Sequence, residues 1–202
     1  MATTVATGLA MGGRERKLAA DIFTYRSGVM TTTASTISPK QRFLEVYAKE
    51  HATTIRVLRA YPADKSEFRP NERCKSAREL AWIFAIEPRL GSMVVINDVF
   101  ASGMPSGKPP EAPDSWEAVL SGVEQAHAEF ADAIRAMPDE ALDRTSKFLT
   151  APKTFGDVRR LDFLWFLLHD EIHHRGQFSV YLRAAGGRVP SIYGPSEHEP
   201  WM

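Results

Sequence analysis

Four stretches with apolar residues recurring every three or four positions, three of them bounded by proline or glycine, constrain this chain more than any other feature. The first opens at Pro39, carries Phe43, Val46, Tyr47, Thr54, Ile55 and Leu58, and ends before Pro62. The second opens at Ser76, with Glu79 three residues on in a capping-box pattern. It runs through Leu80, Ile83, Phe84, Leu90, Val94 and Val95 toward Phe100, and Pro88 inside it predicts a kink. A Gly/Pro-rich loop over 103–113 leads to a third run from Trp116 to about Ala136, capped by Asp114 or Ser115. Val119, Val123, His127, Phe130 and Ile134 share one of its faces. After a shorter, irregular stretch, the last run extends from about Phe155 to Ala185 and stops at Gly186-Gly187. Alternating runs and hairpin signals are weak throughout. The expected fold class is therefore all-α, an up-down four-helix bundle over residues 39–202. Residues 1–38, rich in Ala, Thr, Ser and Gly, read as a poorly ordered leader, and Met30 is an expected start of translation within it.

Composition narrows the function. Lys and Arg together number 25, as do Asp and Glu, so the net charge is zero. A dedicated nucleic-acid binder would carry a basic excess. A single cysteine, Cys74, precludes an internal disulfide and reads as an incidental free thiol. No apolar run approaches the roughly 20 residues of a membrane span, and the first residues lack a secretory core. The expectation is a cytoplasmic protein without membrane or nucleic-acid partners.

The last helical run holds the chemistry. His169 and His173 stand four residues apart, which on a helix places their Cβ atoms roughly 5–6 Å apart on one face. Phe166, Gln177 and Val180 extend the same stripe, His174 lies about 100° further round, and Arg175 points elsewhere again. Two neutral imidazoles on one rigid face are half of a divalent-metal site, and their other ring nitrogens need acceptors behind them. The competing reading is a pair of hydrogen-bonded structural histidines. A zinc protease would need Glu directly after the first His, where this chain has Asp170, and no G-x-S-x-G elbow is present.

The run HDEIHHRGQFSVYLRAAGGRVPSIYGP, with RVLRAYP late in the first helix and SARELAW opening the second, resembles the DinB/YfiT-like superfamily of four-helix-bundle metal proteins, which is unrelated to the DNA polymerase of similar name. The resemblance spans Pro39 to Met202. It implies a homodimer and a divalent metal, zinc or nickel, held by three histidines. Two of these map onto His169 and His173. The third is expected on the second helix, where this sequence has Ile83, a side chain that cannot coordinate. Glu87, one turn on, is the first candidate replacement, against the alternative that it pairs with an arginine; His51 and Glu50 on the first helix follow.

The resemblance extends to chemistry. Several relatives resemble thiol-dependent transferases or isomerases, in which the metal would make a thiolate nucleophile toward a small electrophile. Gln177 would then orient substrate or water, and Arg175 would bind an anionic group or close the bundle through a salt bridge. Two other readings compete: a non-catalytic stress or interaction protein with a degenerate site, and a metal-dependent hydrolase.

Overall fold

The first helix, α1 (Pro39–Arg59), begins where the Ser38 side chain accepts a hydrogen bond from the Gln41 amide at 3.2 Å, with Pro39 at the first helical position. The computed structural model describes residues 37–202. The leader expected over 1–38, Met30 included, thus lies outside the described residues except for Ile37 and Ser38. The second helix, α2 (Ala77–Gly91), opens on the expected capping box: the Glu79 amide donates to Ser76 Oγ, and the Ser76 amide donates to Glu79 Oε2 at 2.6 Å. Pro88 lies inside α2, and past Gly91 the backbone loosens into a π-helical turn over Ser92–Ile96. Ser115 caps α3 (Trp116–Ala136), and α4 (Arg160–Ala184) closes in a Schellman motif, with Gly186 at φ 80°.

One element departs from the sequence reading. The irregular stretch after α3 contains an antiparallel hairpin, β1 (Thr145–Ala151) and β2 (Thr154–Arg159). Its second strand occupies the residues expected to start the last helix. Most strand residues are exposed or half-buried, so apolar alternation is too diluted to read in sequence. The hairpin is held by its aromatics: Phe148 meets Phe100 at 5.5 Å and Phe163 at 4.7 Å, and Phe155 meets Phe100 at 6.0 Å between ring centroids. Lys153, at φ 59°, makes the turn.

The four long helices form the expected bundle, α1 and α2 each packing on both α3 and α4. Helix directions follow from the contacts. Phe43 lies against Trp165 and Tyr61 against Phe178, so α1 and α4 run the same way. Gly122 approaches Trp82 and Gly91 approaches Phe130, so α2 and α3 also run together. Glu87 faces His174 while Gly91 reaches Leu167, so α2 opposes α4. The four-helix bundle is thus present with the order up-down-down-up in place of the expected simple up-down alternation, because the long connection from Ser92 to Ser115 returns the chain along the bundle before α3 begins. A Cβ on Gly91 would sit 2.5 Å from the Phe130 ring and 2.9 Å from Leu167, so the α2–α3–α4 approach requires glycine there.

The core divides into two apolar clusters. One holds Leu58, Ala81, Val119, Val123, Phe178 and Leu182; the other holds Phe43, Val94, Phe130, Ile134, Leu164 and Leu168. Between them, every helix contributes buried or half-buried polar groups: Glu50, His51 and Thr54 from α1, Glu87 from α2, His127 from α3, and Glu171, His174 and Arg175 from α4. That polar level positions the site.

Candidate metal centre

Arg175 anchors the polar level. Only 1% exposed, it donates to Glu50 Oε2 at 2.6 Å, the Glu50 carbonyl at 3.0 Å, Thr54 Oγ1 at 3.3 Å and the Tyr193 hydroxyl at 2.6 Å. Arg175 thus forms a buried ion pair with Glu50 that joins α4 to α1, and both of its terminal nitrogens are occupied by these partners. Glu50 is likewise committed to this pair, which accounts for it without a metal. Tyr193 also donates to Glu50 at 2.7 Å, which ties the C-terminal tail to α1 and α4.

Beside this neutral pair stand two further buried carboxylates. Glu171 accepts from Thr54 Oγ1 at 2.7 Å, and burial, with help from Glu87 and Glu50, pushes it up to about 7. Glu87 is also pushed up to about 7, chiefly by burial, while the His174 imidazole works against the shift. His174 is raised above its ordinary value chiefly by the Glu87 carboxylate beside it.

Glu87, Asp170 and His174 offer ligand atoms all within 4.8 Å of one another. His174 Nδ1 lies 2.7 Å from Glu87 Oε1 and 3.7 Å from Asp170 Oδ1. Despite that 2.7 Å, neither His174 Nδ1 nor Glu87 Oε1 completes a hydrogen bond of proper direction among the described residues. A buried imidazole nitrogen and a buried carboxylate oxygen left this way can both turn to one cation beside them, and two carboxylates with an imidazole are a normal set for a divalent ion.

The structure corrects the placement of the imidazole pair. His169 and His173 lie on the solvent face of α4 with Gln177, whose Nε2 sits 2.8 Å from His173 Nε2. On the same face, Phe166 is 50% and Val180 58% exposed. The pair that looks inward is one residue later, Asp170 and His174, about 100° round the helix. Ile83 is half-buried, and Glu87 supplies the α2 member of the cluster. His51 stands apart from this cluster, its ring stacked on His127 at 3.5 Å between centroids. Asp170 and His174 share the same i, i+4 spacing, so a search for imidazole pairs alone passes over them. What distinguishes them is the burial of Arg175 against its α1 partners, which puts His174 at the edge of the inner face.

The three histidines of this level differ in character. Burial holds His51 down at about 3, with His127 adding to the effect, and holds His127 at about 4 against the pull of the Tyr47 backbone. Both are neutral near pH 7. No helix among the described residues is long and apolar enough to cross a membrane.

The family model described as the DinB family matches residues 30–201. An uncharacterized protein, YrdA of Bacillus subtilis (strain 168), is 33% identical over 88 residues, which are 43% of this chain. The chain thus spans about half, 50%, of that relative's length. Among solved structures, a DinB-like protein from Bacillus cereus ATCC 10987 superposes with a TM-score of 0.59 at 20% identity, covering 75% of this chain and 95% of that one. The DinB-like protein YjoA of Bacillus subtilis superposes with a TM-score of 0.58 at 18% identity, covering 75% and 97%. At such identities, these two structures speak for the fold.

Proposed function

The chain belongs to the DinB family, and from that premise we propose that it binds a divalent metal through Glu87, Asp170 and His174 and uses it on a small molecule. The observation that carries this reading is the converging, unbonded pair Glu87 Oε1 and His174 Nδ1, with Asp170 beside it. Protein ligands come from α2 and α4 alone, and the half-buried Asp170 and His174 leave the solvent side approachable.

Two carboxylates and one imidazole are a harder donor set than three imidazoles. That shifts the preferred ion from nickel toward manganese, iron(II) or zinc. A hard site favours oxygen substrates, so metal-assisted hydrolysis gains on thiol transfer in this chain. A bound divalent ion would supply Lewis acidity and lower the pKa of a coordinated water. The protein's own groups do the remainder: the Arg175–Glu50 pair fixes α4 against α1, and Glu171, kept near neutrality by burial, can hold or release a proton close by.

Metal content of untagged protein tests the reading. On the order of one ion per chain is expected, lost in His174→Ala and Asp170→Asn and retained in His169→Ala and His173→Ala. Retention in His174→Ala would refute the assignment. Protein that neither carries a metal nor shifts its unfolding midpoint with manganese, iron(II), zinc or nickel would favour the non-catalytic reading. Hydrolase and thiol-transfer screens with chelator controls then separate the two chemistries.

A further inference from the structure

A second polar feature lies in the same level and shares only Glu87 with the proposed metal ligands. A cavity of about 10 Å³ opens between the four helices, walled by Tyr47, His51, Glu87, His127 and Glu171 with Phe84, Phe130 and Leu167. The Tyr47 hydroxyl and His127 Nε2 are both buried and make no hydrogen bond among the described residues. Tyr47 is 4% and His127 9% exposed, so bulk water does not satisfy them either. Leaving two such groups unpaired in a dry interior is costly, and native folds avoid it.

The rings cannot easily turn away to find partners. His127 is sandwiched, with Tyr47 stacked at 4.0 Å on one contact and His51 at 3.5 Å on the other. The sandwich fixes the plane in which Nε2 points. We infer that this cavity is a binding site for one water-sized oxygen ligand, gripped by the Tyr47 hydroxyl and His127 Nε2 beside Glu87. The volume, about that of one water probe, excludes larger molecules. A ligand that can both donate and accept suits the pair, because a phenol hydroxyl can donate while a neutral imidazole nitrogen accepts. His51, half-buried, is the least buried polar wall and marks the side of access.

The site deepens the metal reading, since an oxygen ligand beside Glu87 is the water such a centre would act upon. Its use there rests on that reading, but its existence does not. The test therefore uses chelator-treated, full-length protein. A high-resolution crystal structure should show an ordered oxygen within about 2.7–3.2 Å of both Tyr47 Oη and His127 Nε2. Tyr47→Phe should weaken that density and lower the unfolding midpoint by about 2–4 °C. His127→Phe, which keeps a stacking ring, should abolish the density. Absence of ordered density in the wild type, or a Tyr47→Phe midpoint equal to or above it, overturns the inference. No metal enters these readouts, so a failed metal titration would be seen separately.

Discussion

Replacing Glu87 with Gln should make the metal-free protein more stable at pH 8 while destroying its response to metal. Glu87 is 7% exposed, and burial lifts it from an ordinary 4.5 to about 7. The folded protein therefore holds this proton more tightly than the unfolded chain does. Below about pH 4.5 both states carry it and the carboxylate costs nothing; above about pH 7 both have lost it and the full cost of a buried anion is present. An interval of about 2.5 in pH, at about 1.36 kcal/mol each, caps that cost near 3 kcal/mol. Gln keeps the shape and an acceptor for His174 but cannot ionise. Allowing for relaxation and water entry, the gain at pH 8 is about 1–3 kcal/mol, or roughly 2–10 °C in unfolding midpoint for a chain of this size. At pH 4.5 the two proteins should nearly coincide. Thermal melts at both pH values, with and without manganese or zinc, provide the assay. A variant less stable than wild type at pH 8, or one that keeps the wild-type metal shift, would refute the reasoning.

Two further perturbations probe the same level. Arg175→Met strands the Glu50 carboxylate in the core and should cost about 3–5 kcal/mol. Adding Glu50→Gln should recover more than half of that loss, as a double-mutant cycle in urea would show; strict additivity would mean that the pair is not coupled. His127 has its pKa lowered to about 4, so the unfolded chain takes up its proton first and stability falls as pH drops from about 6.5 toward 4. His127→Phe should remove up to one proton from that acid slope, measured from midpoints across the range.

Helices α1 and α3 were legible because their apolar stripes are the faces they bury: Val119, Val123, Phe130 and Ile134 are all buried, and Ser38 and Ser115 cap as their residue types predict. On α4 the same logic misleads. Its inner face carries the charged Glu171 and Arg175, made tolerable by partners on α1, while Phe166 and Val180 stand in solvent. The stripe through Phe166, His169, His173 and Val180 thus imitates a core face. The true register lies one residue on, and only the partners supplied by Thr54 and Glu50 distinguish the two. Glu87 was legible as a candidate because it lies one turn past Ile83. His127 was legible as a core residue, but its stacking between Tyr47 and His51 depends on how α1 meets α3, which no local pattern encodes. The hairpin escaped for a related reason, since Phe148 and Phe155 become buried only against Phe100 and Phe163.

A bundle selected for stability alone would fill the level between its two apolar clusters with leucine. Here that level holds three buried carboxylates against one fully buried arginine, with two imidazoles that burial keeps neutral. The Arg175–Glu50 pair cancels one negative charge and leaves Glu87 and Glu171, both lifted chiefly by burial, with Glu87 adding to the rise at Glu171. Well-packed apolar residues at such positions are commonly neutral or stabilising by comparison. The excess acid therefore works against folding unless protons or a cation neutralise it. A cation held by Glu87, Asp170 and His174 would supply that neutralisation where the ligand atoms of this level converge to within 4.8 Å of one another.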